Sequence, residues 1–229
     1  MKKIIFIGAL LFVFSIYGQS KVTKNLGDYT ILKVYNGIEV ELIKSTENKL
    51  EITGEKSEMV KIKTVNNTLK LSLPFSLKPS NNAADGKVFV QLFYKDKLAV
   101  IDANQSATIT AKDFQQDEVE IRAQERAFIN LVLKSKNIKV RATSGGIIKL
   151  SGTANNQDVD VDLYGIYHGF GLEVDNSAMV KAGTGAKAEI FAGKVLNAKV
   201  SFGGSIFYKG NPDLIRDKKL VGGIIQKKD

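Results

Sequence analysis

One pattern recurs three times in succession in this chain: AVIDANQSATIT (residues 99–110), VEIRAQERAFIN (119–130) and IKVRATSGGIIK (138–149). Each copy opens with apolar residues at alternate positions, which is typical of a strand with one buried face. Small or polar residues follow, and a second apolar position lies eight residues after the central one. The pattern therefore predicts a unit of two or three short strands that is repeated along the chain.

The unit continues to residue 208, and six copies can be aligned. The central apolar residues recur every 19 to 21 positions, at Ile101, Ile121, Val140, Val161, Val180 and Val200. The second apolar position holds Ile109, Ile129, Ile148, Ala188 and Tyr208, and in the fourth copy it shifts by one residue to Phe170. A repeat this short cannot bury its apolar side alone, so its copies must stack. We therefore predict an all-β fold, a parallel β-helix or β-solenoid with coils of about 20 residues.

The outward positions of the stacked coils are predicted to carry rows of charge. One row holds Glu120, Lys139, Asp160 and Lys199, and the other holds Asp102, Arg122, Arg141, Asp162 and Lys181. Opposite charges mostly adjoin in this alignment, and each such pair is worth roughly 0.2–1 kcal/mol. The rows indicate a solvated sheet face.

The segments outside the repeat are predicted to close its two ends. Strands between residues 29 and 73 are more closely spaced and include a two-residue hairpin turn at Asn66-Asn67, which indicates an N-terminal β cap. The longest loop runs from Pro74 to Gly86. At the other end, Asn211-Pro212-Asp213 interrupts the spacing, so residues 211–229 are expected to cap the last coil.

The segment from Met1 to Gly18 has the pattern of a secretory signal peptide. Lys2 and Lys3 precede an uncharged apolar run over residues 4–16, and Gly18 supplies a small residue for cleavage. The run falls short of the roughly 20 residues that a membrane-spanning helix needs, and no later segment is a candidate for one. We expect an exported chain in the periplasm, on the outer surface or secreted, with 1–18 removed and 19–229 as a single domain. The chain has no cysteine, which excludes a disulfide, a Cys-ligated metal and a lipid-modified N-terminal cysteine.

The net charge is basic but carries no signature of nucleic-acid binding. The whole chain has 33 basic and 24 acidic residues, for a charge of +9; removal of Lys2 and Lys3 leaves 31 and 24, or +7. The lysines are dispersed singly along the strands, and no nucleic-acid-binding module is recognisable. We therefore expect no nucleic-acid partner.

The chain resembles the head GIN domain family (DUF2807) of autotransporter-type adhesins over essentially all of 19–229. The resemblance is carried by Tyr29-x-Ile31 through Val34-Tyr35-Asn36-Gly37-Ile38-Glu39-Val40, by the Ser/Gly-rich turns, and by GGSIFYKGNP (203–212) followed by GGII (222–225). Turns that are Ser-Gly in the family read Gln105-Ser106, Glu125-Arg126 and Gly165-Ile166 here. The resemblance implies a right-handed β-helix of a Bacteroidetes-type cell envelope and an adhesin-like role. It supplies no catalytic residues.

The candidates for catalysis or metal binding are few. Asp158, Asp160, Asp162 and Asp175 are the nearest to a cluster of carboxylates, but two outward aspartates on one strand between basic rows do not supply the six to eight ligands of a calcium site. His168 is the only histidine, so metal sites built on two histidines are excluded. We therefore predict no cofactor, no metal site and no enzymatic activity.

A partner-contact site is predicted at the densest aromatic stretch, which contains Tyr164, Tyr167, His168 and Phe170. Exposed aromatic rings here would stack on a sugar or on a partner protein. The alternative, which we favour, is that Tyr167 and Phe170 fill a widened coil.

The leading functional hypothesis is an adhesin-like interaction module that binds a protein or glycan of the envelope or of a host surface. One alternative is a periplasmic sensing or regulatory domain, and a second is a carbohydrate-active β-helix enzyme. Association into homo-oligomers is left open by the sequence.

Overall fold

A computed structural model describes residues 21–76 and 82–229. The predicted signal peptide, its cleavage site after Gly18, and residues 77–81 of the long loop lie outside the described residues. No helix in the described part of the chain has the length and apolar character to cross a membrane.

The prediction of an all-β fold is confirmed, because the described residues form a single 18-stranded sheet with one short 3-10 turn at Ser57–Met59. Its strands are β1 (Val22–Asn25), β2 (Ile31–Val34), β3 (Glu39–Lys44), β4 (Lys49–Thr53), β5 (Lys61–Val65), β6 (Thr68–Ser72), β7 (Phe89–Tyr94), β8 (Val100–Ala103), β9 (Thr108–Gln115), β10 (Glu118–Ala123), β11 (Phe128–Ala142), β12 (Ile147–Val161), β13 (Ile166–Ala182), β14 (Lys187–Phe191), β15 (Val195–Ser201), β16 (Ser205–Lys209), β17 (Leu214–Leu220) and β18 (Ile224–Lys227).

Parallel pairing winds these strands into a β-solenoid with coils of about 19 residues. One ladder runs from β2 through β8, β10 and the second halves of β11, β12 and β13 to β15 and β17. The other runs from β3 through β9 and the first halves of β11, β12 and β13 to β14, β16 and β18. β11, β12 and β13 belong to both ladders because each continues from one to the other.

Each coil buries several side chains, and two of them stack on their counterparts in the neighbouring coils to form two columns through the core. The first column holds Ile101, Ile121, Val140, Val159, Val180 and Ala198, and the second holds Ile109, Ile129, Ile148, Tyr167, Ala188 and Ile206. All twelve are buried. In every coil the two are eight residues apart, whereas the step from one coil to the next is unequal along the chain.

The predicted register is wrong in the fourth and sixth coils. Val161 lies beside Ala142 and Ala182, so Val159 is the residue that stacks on Val140. Val200 likewise lies beside Ala182. A shift of two residues keeps a side chain on the same face of a strand, so the alternating pattern alone cannot detect it.

The register also corrects the second column and the charge rows. Tyr167 and Ile206 occupy the inward positions that were predicted for Phe170 and Tyr208. Asp160 lies between Arg141 and Lys181, and Lys199 follows Lys181 in the same row. The pairing of opposite charges is real in the early coils, where the Glu120 carboxylate contacts the guanidinium groups of Arg122 at 2.8 Å and Arg141 at 2.9 Å.

The strands that carry the two column residues of a coil are connected by a two-residue turn. Left-handed backbone recurs in these turns. Gln105 and Ser106 have φ values of 52° and 60°, and Leu163 and Tyr164 have φ values of 46° and 63°. Each of these turns is closed by a hydrogen bond from the N–H of the residue after it to the carbonyl of the residue before it, as in Ala107 N–H to Asn104 O at 3.0 Å. This is the geometry of a type I′ turn. The turn of the fourth coil is therefore Leu163-Tyr164, and the assignment to Gly165-Ile166 is wrong.

The two ends of the solenoid differ. The predicted N-terminal cap is confirmed, because β1 and β5 pair antiparallel at the edges and Asn66-Asn67 forms the expected left-handed hairpin turn. Residues 211–229 form a seventh coil instead of a cap, since β17 pairs parallel with β15 and β18 with β16. Its inward positions carry Asp217 and Ile225, again eight residues apart. Charge at an inward position made this coil unrecognisable as a repeat.

Replacement of Val140 by Asp tests the core column. The carboxylate would be buried between Ile121 and Val159 without a partner. We therefore expect the free energy of unfolding to fall by about 4 kcal/mol or more and the melting temperature to fall by roughly 10 °C or more. Lys134→Asp is the matched control, because Lys134 is an exposed residue of the same strand between Gln115 and Thr153. Circular dichroism melting measures both variants, and equal melting temperatures would contradict the register.

Candidate functional site

The four aromatic-stretch residues predicted as a contact site are separated by the fold. Tyr167 faces inward and is 0% exposed. Its hydroxyl donates a hydrogen bond to Gln157 Oε1 at 3.1 Å, and Gln157 Nε2 in turn donates to the Phe191 carbonyl at 2.8 Å. Burial raises the pKa of the Tyr167 hydroxyl. Tyr167 therefore fills the coil, as the favoured alternative held, and its ring does not face solvent.

His168 lies on the outer face of the second ladder and is held in an ionic cluster. Its Nδ1 is 2.7 Å from Glu189 Oε2, and Lys187 Nζ is 2.5 Å from Glu189 Oε1. Partial burial raises the pKa of Glu189, but the hydrogen bonds from Lys187 and His168 outweigh it and lower that pKa overall. The charges of this cluster are thus satisfied within the protein.

Phe170 does not fill the coil but lies half-buried on the same outer face. Lys209 Nζ is 5.4 Å from the centroid of its ring, and Lys187 and Lys228 approach the ring of Phe207 at 5.7 and 4.8 Å. Ammonium groups within about 6 Å of an aromatic ring are attracted to it. This face therefore pairs its cations with its own aromatic rings.

Tyr164 lies on a different surface, which we call the turn edge. The turn edge is the stack of two-residue turns Asn36-Gly37, Gln105-Ser106, Glu125-Arg126, Ser144-Gly145, Leu163-Tyr164, Thr184-Gly185, Phe202-Gly203 and Val221-Gly222. Successive turns are joined by backbone hydrogen bonds, such as Gly145 N–H to Leu163 O at 3.1 Å and Tyr164 N–H to Thr184 O at 3.0 Å. The stack forms a continuous ridge along the solenoid.

The turn edge changes from polar to apolar along its length. Up to Ser144 its side chains are hydrophilic, whereas three of the last four turns expose Leu163 (48%), Tyr164 (68%), Phe202 (63%) and Val221 (74%); the turn Thr184-Gly185 lies among them. We call these four residues the apolar strip. A Cβ added at Gly185 would lie 2.7 Å from the Tyr164 ring carbon Cε1, so this ring lies across the intervening turn toward Phe202.

The apolar strip is unfavourable to the isolated protein in two ways. Left-handed backbone costs a non-glycine residue about 1–2 kcal/mol and is rarest for bulky and β-branched residues such as Phe202 and Val221, whose φ values are 49° and 52°. The side chains also leave apolar surface in water. Asn36-Gly37 shows that the same turn forms from residues that carry neither cost. Strained residues of this kind point to a functional surface.

The sequence prediction found Tyr164 but missed Leu163, Phe202 and Val221. Phe202 lies immediately before GGSIFYKGNP (203–212), which was considered only for the family resemblance. For Phe202 and Val221 the available signal was a large apolar residue immediately before Gly at a turn, where Asn or Asp is usual.

The aspartates weighed as catalytic residues have different surroundings. Asp162 Oδ1 accepts hydrogen bonds from the backbone N–H groups of Leu163 at 2.8 Å and Thr184 at 2.7 Å. Asp162 therefore holds two successive turns of the turn edge together. Asp160 lies two residues earlier on β12, beside Lys181. Within 21–76 and 82–229, no group of three or more His, Asp or Glu side chains is arranged to hold a metal ion.

Comparison with protein families gives one match that covers most of the chain. Residues 28–212 match the model described as "Putative auto-transporter adhesin, head GIN domain". No curated protein matches the chain.

Solved structures share the fold at low sequence identity. A "putative adhesin" from Bacteroides fragilis has a TM-score of 0.82 at 19% identity, with 93% of this chain and 98% of that chain covered. A "putative adhesin" from Parabacteroides merdae has a TM-score of 0.63 at 18% identity, with the same coverage. A "putative lipid binding protein" from Parabacteroides distasonis has a TM-score of 0.65 at 16% identity, also with 93% and 98% covered.

Asp160 and Asp162 provide a matched pair for testing the turn geometry. Asp162→Ala should lower the free energy of unfolding by about 1–2 kcal/mol, because two backbone N–H groups lose their acceptor. Asp160→Ala should change it by less than about 0.5 kcal/mol, and Asp162→Asn should preserve stability because it retains the Oδ1 acceptor. Urea denaturation measures all three. Equal losses for the two alanine variants would show that Asp162 does not support the turns.

Proposed function

Because the chain belongs to the family described as "Putative auto-transporter adhesin, head GIN domain", we propose that it is an exported, non-catalytic interaction module that binds a macromolecule through the apolar strip of its turn edge. Of the residues first predicted as contacts, Tyr164 belongs to this surface.

The observation that carries the proposal is that the apolar strip combines two unfavourable features, left-handed backbone at non-glycine residues and exposed apolar side chains. Phe202 and Val221 combine left-handed backbone with exposed apolar side chains, whereas Ser144 at the same turn position has left-handed backbone but only a small polar side chain. A partner that covers these side chains would remove them from water, which is favourable by roughly 25 cal/mol per Å² of apolar surface. Binding thus offsets a cost that has no benefit to the free protein.

The regular stacking of the solenoid also makes the apolar strip a suitable binding surface. Successive rungs lie about 4.8 Å apart, and the backbone bonds from Tyr164 N–H to Thr184 O and from Gly185 N–H to Phe202 O join the turns that carry Tyr164 and Phe202. A pre-ordered surface loses little conformational entropy when it binds. A row of aromatic and aliphatic side chains on stacked turns is therefore matched to an extended partner.

Export is the second part of the proposal and rests on the segment from Met1 to Gly18. Protein isolated from the envelope or medium of the native cells should begin at Gln19, because a signal peptidase would cut after Gly18. Intact-mass measurement with N-terminal sequencing tests this. A chain that retains Met1 would contradict export by this route.

The double variant Phe202→Asn/Val221→Asn tests the strip. Asn accepts left-handed backbone, so the free energy of unfolding should rise by about 1 kcal/mol while binding falls. Binding would be measured on arrays of acidic and neutral polysaccharides and of extracellular-matrix proteins, with residues 19–229 as the analyte.

The matched control is Gln105→Asn/Glu125→Asn, which makes the same change at the first positions of two turns in the polar half of the edge. It should leave binding unchanged. Array binding by the parent that is fully retained in the Phe202/Val221 variant would overturn the assignment of the strip.

A further inference from the structure

A row of three lysines lies beside the apolar strip. Lys181, Lys199 and Lys218 are in register on β13, β15 and β17, and all three are exposed. Neighbouring parallel strands lie about 4.8 Å apart, so three positive charges are attached to the sheet at that interval. We call this row the lysine ladder.

None of the three lysines forms an ion pair, a hydrogen bond or a ring contact through its side chain with another described residue. Two other rows of like charge that stack in register are paired within the protein. Arg122 and Arg141 share the Glu120 carboxylate. Lys33 Nζ lies 3.8 Å from Asp102 Oδ2, and its neighbour Lys70 lies over the Tyr35 ring. The lysine ladder is therefore a row of three like charges, none of which is held in an ion pair with another described residue.

The ladder and the apolar strip follow the same coils. Lys199 and Lys218 each precede a strip residue by three positions, Phe202 and Val221, and Lys181 precedes the intervening turn at Thr184 by the same number. Between them lies a depression of about 140 Å³ lined by Asp160, Asp162, Lys181, Lys199 and Ser201, among others. One extended partner can thus contact both rows at once.

We propose that this combined surface binds an acidic polysaccharide, an inference that rests on the proposed binding function of the apolar strip and names its partner. Regularly spaced carboxylates or sulfates would neutralise Lys181, Lys199 and Lys218. The apolar faces of the sugar rings would pack on Tyr164 and Phe202, as aromatic side chains combine an apolar surface with a polar rim.

The acidic residues beside the ladder favour a polysaccharide over a nucleic acid. Asp160 is in register with Lys181, and Asp162 lines the same depression. Both carboxylates repel any polyanion, but they can accept hydrogen bonds from the hydroxyl groups on each sugar of a polysaccharide, whereas the phosphodiester backbone of DNA offers no hydroxyl donor between its ends.

The experiment compares binding of three probes to residues 19–229: polygalacturonate, neutral dextran and single-stranded DNA. The test variant is Lys181→Gln/Lys199→Gln/Lys218→Gln, and Lys24→Gln/Lys61→Gln/Lys63→Gln is a control of equal net charge built from exposed lysines at the N-terminal end. We expect the parent to bind polygalacturonate and not dextran, with an affinity that falls as salt is raised. The test variant should lose at least tenfold in affinity and melt at or above the parent temperature, while the control should lose less than twofold.

The outcomes separate this inference from the proposed function. Equal losses in the two triple variants would show that net charge alone attracts the polyanion and would overturn the ladder. Tighter binding of DNA than of polygalacturonate would assign the surface to nucleic acid. If Phe202→Asn/Val221→Asn abolishes array binding but the ladder variant does not, the strip stands and the acidic partner is wrong. If neither variant changes the binding of the parent, both proposals fail.

Discussion

The whole structure depends on every coil reversing direction in the same two residues. The stacked turns, many of them left-handed, set the eight-residue separation between the two column residues of a coil, so each of the six coils from Ile101 to Ile206 presents its apolar pair directly over that of its neighbour. Backbone hydrogen bonds between turns then lock the stack. A turn that reversed elsewhere would displace both columns of the core together, which explains why residues as unsuited to left-handed backbone as Phe202 and Val221 still adopt it.

The repeat and its period could be read from the sequence, because inward side chains in a strand alternate and apolar residues mark them. The register of the fourth coil could not be predicted from the alternation alone, because Val159, Val161 and Leu163 are spaced two residues apart and the pattern assigns all three to the same face of the strand. The eight-residue separation would have selected Val159, because it places the large ring of Tyr167 inside. The seventh coil was missed since Asp217 stands where earlier coils have an apolar side chain.

The candidate surface was harder to predict than the fold. Tyr164 was identified for its aromatic neighbours, yet three of those neighbours lie elsewhere: Tyr167 in the core, and His168 and Phe170 on another face. The partners of Tyr164 come from later coils and become neighbours only through stacking. The row of Lys181, Lys199 and Lys218 depends in the same way on the register between coils, whereas the alignment of the sequence placed Lys181 and Lys199 in different rows.

The unequal coil lengths have a consequence for how such a chain can diverge. All of the variation lies between the second inward residue of one coil and the first of the next, where the connecting segment differs in length from coil to coil and the strands contain their register shifts. There the backbone absorbs an extra residue as a bulge on the side away from the turns. Genetic insertions and deletions would therefore accumulate on that side without disturbing the ridge. Changes in coil length and changes in the proposed binding surface would thus occur on different sides of the solenoid.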